Sequence, residues 1–149
     1  MITKEYTNTR DYLRSAIWLN NEINDNLRRI SELKAKVRSV SIQYKADKIQ
    51  TSGSKDVIGD TIAEYTALEK ETDELVDEYV DLKERLRKEI NLCDKECWLN
   101  VLVSMYIHGK TIYETADILK KPDGTVKMWH REAIINFFEK NKHNMLNIA

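Results

Sequence analysis

The chain is predicted to be all-α: a long antiparallel helical hairpin, coiled-coil-like, followed by a C-terminal three-helix head of helix-turn-helix type. Three observations carry this. Apolar residues recur in heptads over two long stretches. Four glycines and one proline in 149 residues are too few for a loop-rich protein. One third of the residues are charged, the composition of long solvated helices. Residues 1–92 are expected to form the hairpin, a dimerisation stem, and residues 93–149 the head.

The first helix is expected from about Thr9 to Ile42. Ala16, Ile23, Ile30 and Val37 take one seam position; Leu19, Leu33 and Val40 take the other, interrupted by Asn26. A second heptad, from about Val57 to Ile90, alternates Tyr65, Thr72, Tyr79 and Leu86 with Leu68, Leu75 and Leu82. Each stretch spans roughly 50 Å at 1.5 Å per residue. Equal lengths joined by about a dozen residues predict an antiparallel pair. The first helix leans basic (Arg28, Arg29, Lys34, Lys36, Arg38) and the second acidic (Glu69, Glu71, Asp73, Glu74, Asp77, Glu78, Asp81), which favours their pairing by small increments. A merely solvated acidic face explains the same run. A two-helix seam is too narrow to bury a large core, so two hairpins are expected to pair as a homodimer, with Asn26 fixing register.

Between the helices, DKIQTSGSKDVIGD (residues 47–60) reads as a capped loop. Its serine-glycine run with Lys48 and Lys55 lacks the spacing of a nucleotide-binding loop, so an anion site there is the weaker reading.

After a break at Asn91–Asp94, Glu96 to His108 is predicted helical, with Trp98, Leu102, Met105 and Tyr106 inward. Gly109 supplies a left-handed cap. Thr111 then caps a second helix, with Glu114 as capping-box partner. Ile112, Ala116 and Leu119 form its apolar edge. A turn over Lys120–Gly124 leads to a helix whose inner side is Val126, Trp129, Ala133 and Phe137. Gly124, Thr125, Lys127, Met128 and Arg131 are left outward near the helix start, where such a helix meets base edges of double-stranded DNA. Arg131 can make a bidentate pair with guanine, and Lys127 can reach guanine or phosphate; ordinary surface charge is the competing reading. Lys110, Lys120, Lys121 and His130 are candidate backbone contacts, with solvated side chains as the alternative. Thr125 is a first-turn residue or a phosphate donor, and Thr111 and Asp123 complete the candidate DNA-binding set.

The net charge of −1 hides a partition. Residues 1–50 hold ten Lys/Arg against six Asp/Glu, residues 51–100 seven against fourteen, and residues 120–149 six against three. The DNA end is basic, but modestly, so tight binding is expected to need a dimer or a partner. Two cysteines, no apolar N-terminal run and no long uncharged apolar span predict a soluble, reduced, cytoplasmic protein without membrane attachment. Nothing completes a metal set around Cys93, Cys97 and His108, and no residue pattern suits nucleophilic or general-base chemistry. No cofactor and no enzymatic activity are expected.

Tyr106, Gly109-Lys110, Ala116 and Gly124-Thr125-Val126-Lys127 together resemble region four of bacterial sigma factors. The loop at residues 47–60 before a long acidic helix is similar to phage and prophage proteins grouped as RinA- and ArpU-type late transcription regulators. The resemblance covers nearly the whole chain and implies a transcriptional activator of late or packaging genes. It would act on the host nucleoid, binding promoter DNA and contacting host RNA polymerase. Carried over, the recognition positions fall on Gly124, Lys127 and Met128. Trp129 stands where that pattern has a smaller aliphatic residue, and Met128 can meet a thymine methyl but cannot make a bidentate pair. Two other functions fit the same elements: an interaction module that binds polymerase or another regulator without reading bases, and a small-terminase-like subunit that recognises DNA for packaging.

Overall fold

The computed structural model describes residues 3–47 and 52–146, and the regular structure among them is entirely helical. The helices are α1 (Thr3–Asp47), α2 (Ser52–Ile90), α3 (Glu96–Leu102) with a π-helical continuation over Val103–Ile107, α4 (Ile112–Leu119) and α5 (Asp123–Leu146). Packing divides them into two compact units, Leu19–Glu78 on the one hand and Met1–Trp18 with Tyr79–Ala149 on the other. Both long helices contribute to each.

The long helices overrun their expected bounds, α1 ending at Asp47 rather than near Ile42. α1 begins at Thr3 rather than near Thr9. The Thr7 and Thr9 hydroxyls donate to the carbonyls of Thr3 and Glu5 at 3.0 and 2.7 Å, which lets Thr9 be buried without an outside partner. α2 begins at Ser52, so residues 52–60, expected as loop, are its first turns. Ser52 and Gly53 sit where the helix N–H groups are unpaired in any case, and no proline follows to stop the helix. Lys48, and the side chain of Lys55 on which an anion site would depend, lie outside the described residues.

In the unit of residues 19–78 the seam positions pack as the heptads require. Ile23 and Ile30 of α1 and Thr61 and Thr72 of α2 are buried, with Leu19, Leu33, Val37, Tyr65, Leu68 and Leu75 half-buried. The two buried threonines donate to the carbonyls of Val57 and Leu68, each at 2.6 Å, so their hydroxyls enter the seam already satisfied. Arg29 pairs with Glu64 and Lys34 with Glu69, both at 2.6 Å, and the Lys34 ammonium lies 5.4 Å from the Tyr65 ring centroid. These pairs are solvent-exposed and therefore weak, screened by water and salt. The Asn26 amide nitrogen is buried with no hydrogen-bond partner within the chain.

The other unit has a core drawn from both ends of the sequence: Leu13 and Ala16 of α1, Leu86 and Ile90 of α2, Leu102, Tyr106 and Ile107, and Ala133, Ile134 and Phe137 of α5. Packing therefore does not divide at residue 92, because the head closes over the starts of α1 and the end of α2. Several buried polar groups are tied in, while Arg10 Nε and Asn141 Oδ1 are buried without a hydrogen-bond partner among the described residues. Tyr12 donates to the Glu89 carboxylate, with its Oη 2.7 and 2.8 Å from the two oxygens. Burial raises the Glu89 pKa, against the lowering effects of Tyr12 and Arg85. The Asn141 amide donates to the carbonyls of Glu89 and Phe137 at 3.2 and 3.1 Å.

The turns that aim the last two helices use left-handed backbone twice. Gly109 has φ +68, and Lys110 N–H reaches back to the Ser104 carbonyl at 3.0 Å. Lys120 has φ 54, with Lys120 N–H on Asp117 O at 3.3 Å and Lys121 N–H on Ala116 O at 3.0 Å, a Schellman closure with lysine in the position glycine favours. Gly109→Ala is expected to cost about 1 kcal/mol and Lys120→Gly to add up to about 1 kcal/mol, read as opposite shifts of the urea midpoint. Tyr12→Phe strands the buried carboxylate and is expected to cost about 1–3 kcal/mol. Glu89→Gln keeps an acceptor for Tyr12 and should cost less at neutral pH.

Candidate nucleic-acid interface

The candidate interface is set by the way α4 and α5 are held. Thr111 Oγ1 accepts from Glu114 N–H at 3.1 Å while Thr111 N–H donates to Glu114 Oε1 at 3.2 Å, the capping box expected from the sequence. Ala116 and Val126, both fully buried with Val101, join α4 to α5 around Ile112, Met105, Leu119 and Trp129. Ser104 and Thr115 share a buried hydroxyl hydrogen bond of 2.8 Å that ties the π-helical stretch to α4. α5 starts as Val126 N–H donates to the Pro122 carbonyl at 3.2 Å.

With its inner edge fixed, α5 turns the other edge to solvent. Val126, Ala133, Ile134 and Phe137 are buried, and Trp129 is half-buried against the α4 cluster. Gly124, Lys127, Met128 and Arg131 are exposed and recur at helical spacing on one face. A Cβ at Gly124 would meet no atom within 4 Å, so that first turn presents bare backbone. Thr125 is half-buried at the edge of the face. Lys110, Thr111, Lys120 and Lys121 are exposed in the turns that flank α4. Asp123 is the first residue of α5, where its carboxylate suits the positive end of the helix but opposes a phosphate.

His130 stands apart from the rest of that set. Its Nε2 lies 2.6 Å from Tyr106 Oη, and the two rings stack with centroids 5.8 Å apart. Burial first, then Arg10 and Arg14, depress its pKa to about 4, so at neutral pH it is an uncharged imidazole sharing a hydrogen bond with the tyrosine hydroxyl. It brings no charge to a phosphate. Burial likewise pushes Tyr106 up to about 12. The signal for this was a histidine one residue beyond Trp129, on the flank of the buried edge.

One exposed residue beside this face was not singled out from the sequence. Tyr113, in the first turn of α4, is 57% exposed, and the Lys127 ammonium lies 5.2 Å from its ring centroid. An exposed aromatic two positions after a helix cap was the available clue.

Beside this face is a cleft of about 360 Å³ lined by Leu99, Val103, His108, Lys110, Ile118 and Leu119. A neighbouring hollow of about 280 Å³, which Cys97, Lys121 and Trp129 help to line, shares Asn100 and Leu119 with it. Burial pushes the Cys93 thiol up to about 11, away from the thiolate a metal would need. Among the described residues no group of three or more His, Cys, Asp or Glu side chains is placed to hold a metal, and no helix is long and apolar enough to cross a membrane. No protein-family model, curated protein or solved structure matches the chain.

The His130 pKa has a measurable consequence. The unfolded chain protonates this imidazole near 6.5, the folded one near 4. Stability is fully present above pH 6.5 and falls as the pH drops toward 4, by roughly 1–3 kcal/mol. Urea midpoints measured across that range should show the loss, and His130→Gln should flatten that part of the slope.

Proposed function

We propose that the protein is a DNA-binding transcriptional regulator of the phage late-gene type, in which α4 and α5 form a helix-turn-helix and α5 is the recognition helix. In this reading α1 and α2 fold back as an antiparallel hairpin that pairs two chains, so that two heads meet two half-sites of promoter DNA. The observation that carries it is the exposed Gly124–Lys127–Met128–Arg131 face, backed by an edge buried to zero exposure at Val126, Ala133, Ile134 and Phe137. A rigid helix with a bare, partly cationic first two turns fits a major groove. Arg131 supplies the bidentate reader, Lys127 a phosphate or guanine contact, and Met128 an apolar contact for a thymine methyl. Lys110, Lys120 and Lys121 flank the face as phosphate contacts. The unpartnered Asn26 amide supports a second copy at the seam, since a buried donor is costly until something accepts from it.

A second reading has its own observation. The apolar cleft with exposed Ile118 at its edge suits a protein partner, such as host RNA polymerase, and would serve a head that docks without reading bases.

The deciding experiment is selection of duplexes from a random-sequence pool by the intact chain, followed by titration of the selected duplex. Lys127→Ala/Arg131→Ala is expected to weaken the selected duplex by at least about tenfold while leaving weak nonspecific binding largely in place. Replacing thymine by uracil within the site should weaken the wild type but not Met128→Ala. An intact chain that selects nothing favours the docking module, and a monomer by light scattering at micromolar concentration defeats the paired-hairpin arrangement.

A further inference from the structure

Lys127 is exposed on α5 between Gly124 and Arg131, and a free lysine at such a position loses rotamer entropy when it binds. Its ammonium lies 5.2 Å from the Tyr113 ring centroid, within cation–π range. Both backbones are fixed. Tyr113 is one turn before Ala116 and Lys127 follows Val126, and those two residues pack in one buried cluster. The capping box at Thr111 and Glu114 sets the start of α4 and with it the direction of Tyr113. Tyr113 itself is 57% exposed, so packing does not account for the aromatic ring there.

We propose that Tyr113 is a positioning residue of the DNA interface: its ring holds the Lys127 ammonium over the outward face of α5 before DNA arrives. The inference rests on the DNA-binding reading of that face. Tyr113 acts through Lys127, lowering the ordering cost of its contact with phosphate or guanine, and the effect on affinity is preorganisation rather than a new contact. Ring character is what matters, and the hydroxyl is dispensable.

The test uses the full chain and a labelled duplex that the wild type selects from a random-sequence pool, with affinity read by fluorescence anisotropy. Tyr113→Leu is expected to weaken binding about threefold to tenfold, and Tyr113→Phe to restore wild-type affinity. In a Lys127→Ala background Tyr113→Leu should have no further effect, a non-additivity that a merely structural role would not produce. The proposal is overturned if Tyr113→Leu binds like the wild type, or if it weakens binding equally with and without Lys127. A wild-type chain that selects no duplex at all overturns the DNA reading itself, and this proposal with it.

Discussion

The arrangement of the whole C-terminal region depends on one buried edge of α5. Val126 is packed between α3 and α4, while Ala133, Ile134 and Phe137, two to three turns later, pack into the core made with α1 and α2. A single rigid helix thus belongs to both clusters. Burial of Val126, Ile134 and Phe137 contributes several kcal/mol together, whereas the solvent-screened ion pairs on the long helices contribute little. Apolar packing therefore decides where α5 lies, and the polar face on the opposite side inherits its position.

That division of labour explains the charge pattern. Net charge near zero, with acidic residues concentrated between 51 and 100, leaves little general attraction for a polyanion. Three exposed cations near the start of α5 are placed by backbone geometry: Lys120 by a left-handed turn, Lys127 by a buried neighbour, Lys110 by a glycine-closed helix end. On the proposed DNA-binding reading, a small number of fixed charges suits discrimination more than raw attraction.

Much of this was legible in the residues because it is local or periodic. The seam positions Ala16, Ile23 and Ile30 follow from a seven-residue repeat, the Thr111–Glu114 cap from a four-residue signature, and the outward position of Lys127, Met128 and Arg131 from the spacing of Val126 and Ala133. What escaped depends on contacts distant in sequence. His130 reads as a surface cation until Tyr106, twenty-four residues earlier, is set against it. Tyr113 gains meaning only beside Lys127, on a different helix. The inclusion of Leu13 and Ala16 in the head core is invisible to a heptad, which gives the same pattern whatever covers it. Helix ends shifted for a simpler reason: serine, threonine and glycine tolerate a first turn as readily as a loop.

The π-helical stretch at Val103–Ile107 has a mechanical role in the head. An α-helix advances about 100° per residue, and a wide turn accommodates one residue more without lengthening the rod much. Such a turn works as a phase adjuster. It lets Ser104 meet Thr115 on one flank and Tyr106 meet His130 on the other, and it sets the azimuth at which the chain leaves Gly109. Excising a single residue from that stretch would rotate everything downstream by about a quarter turn, pointing the cationic stripe in a new direction while leaving its composition untouched.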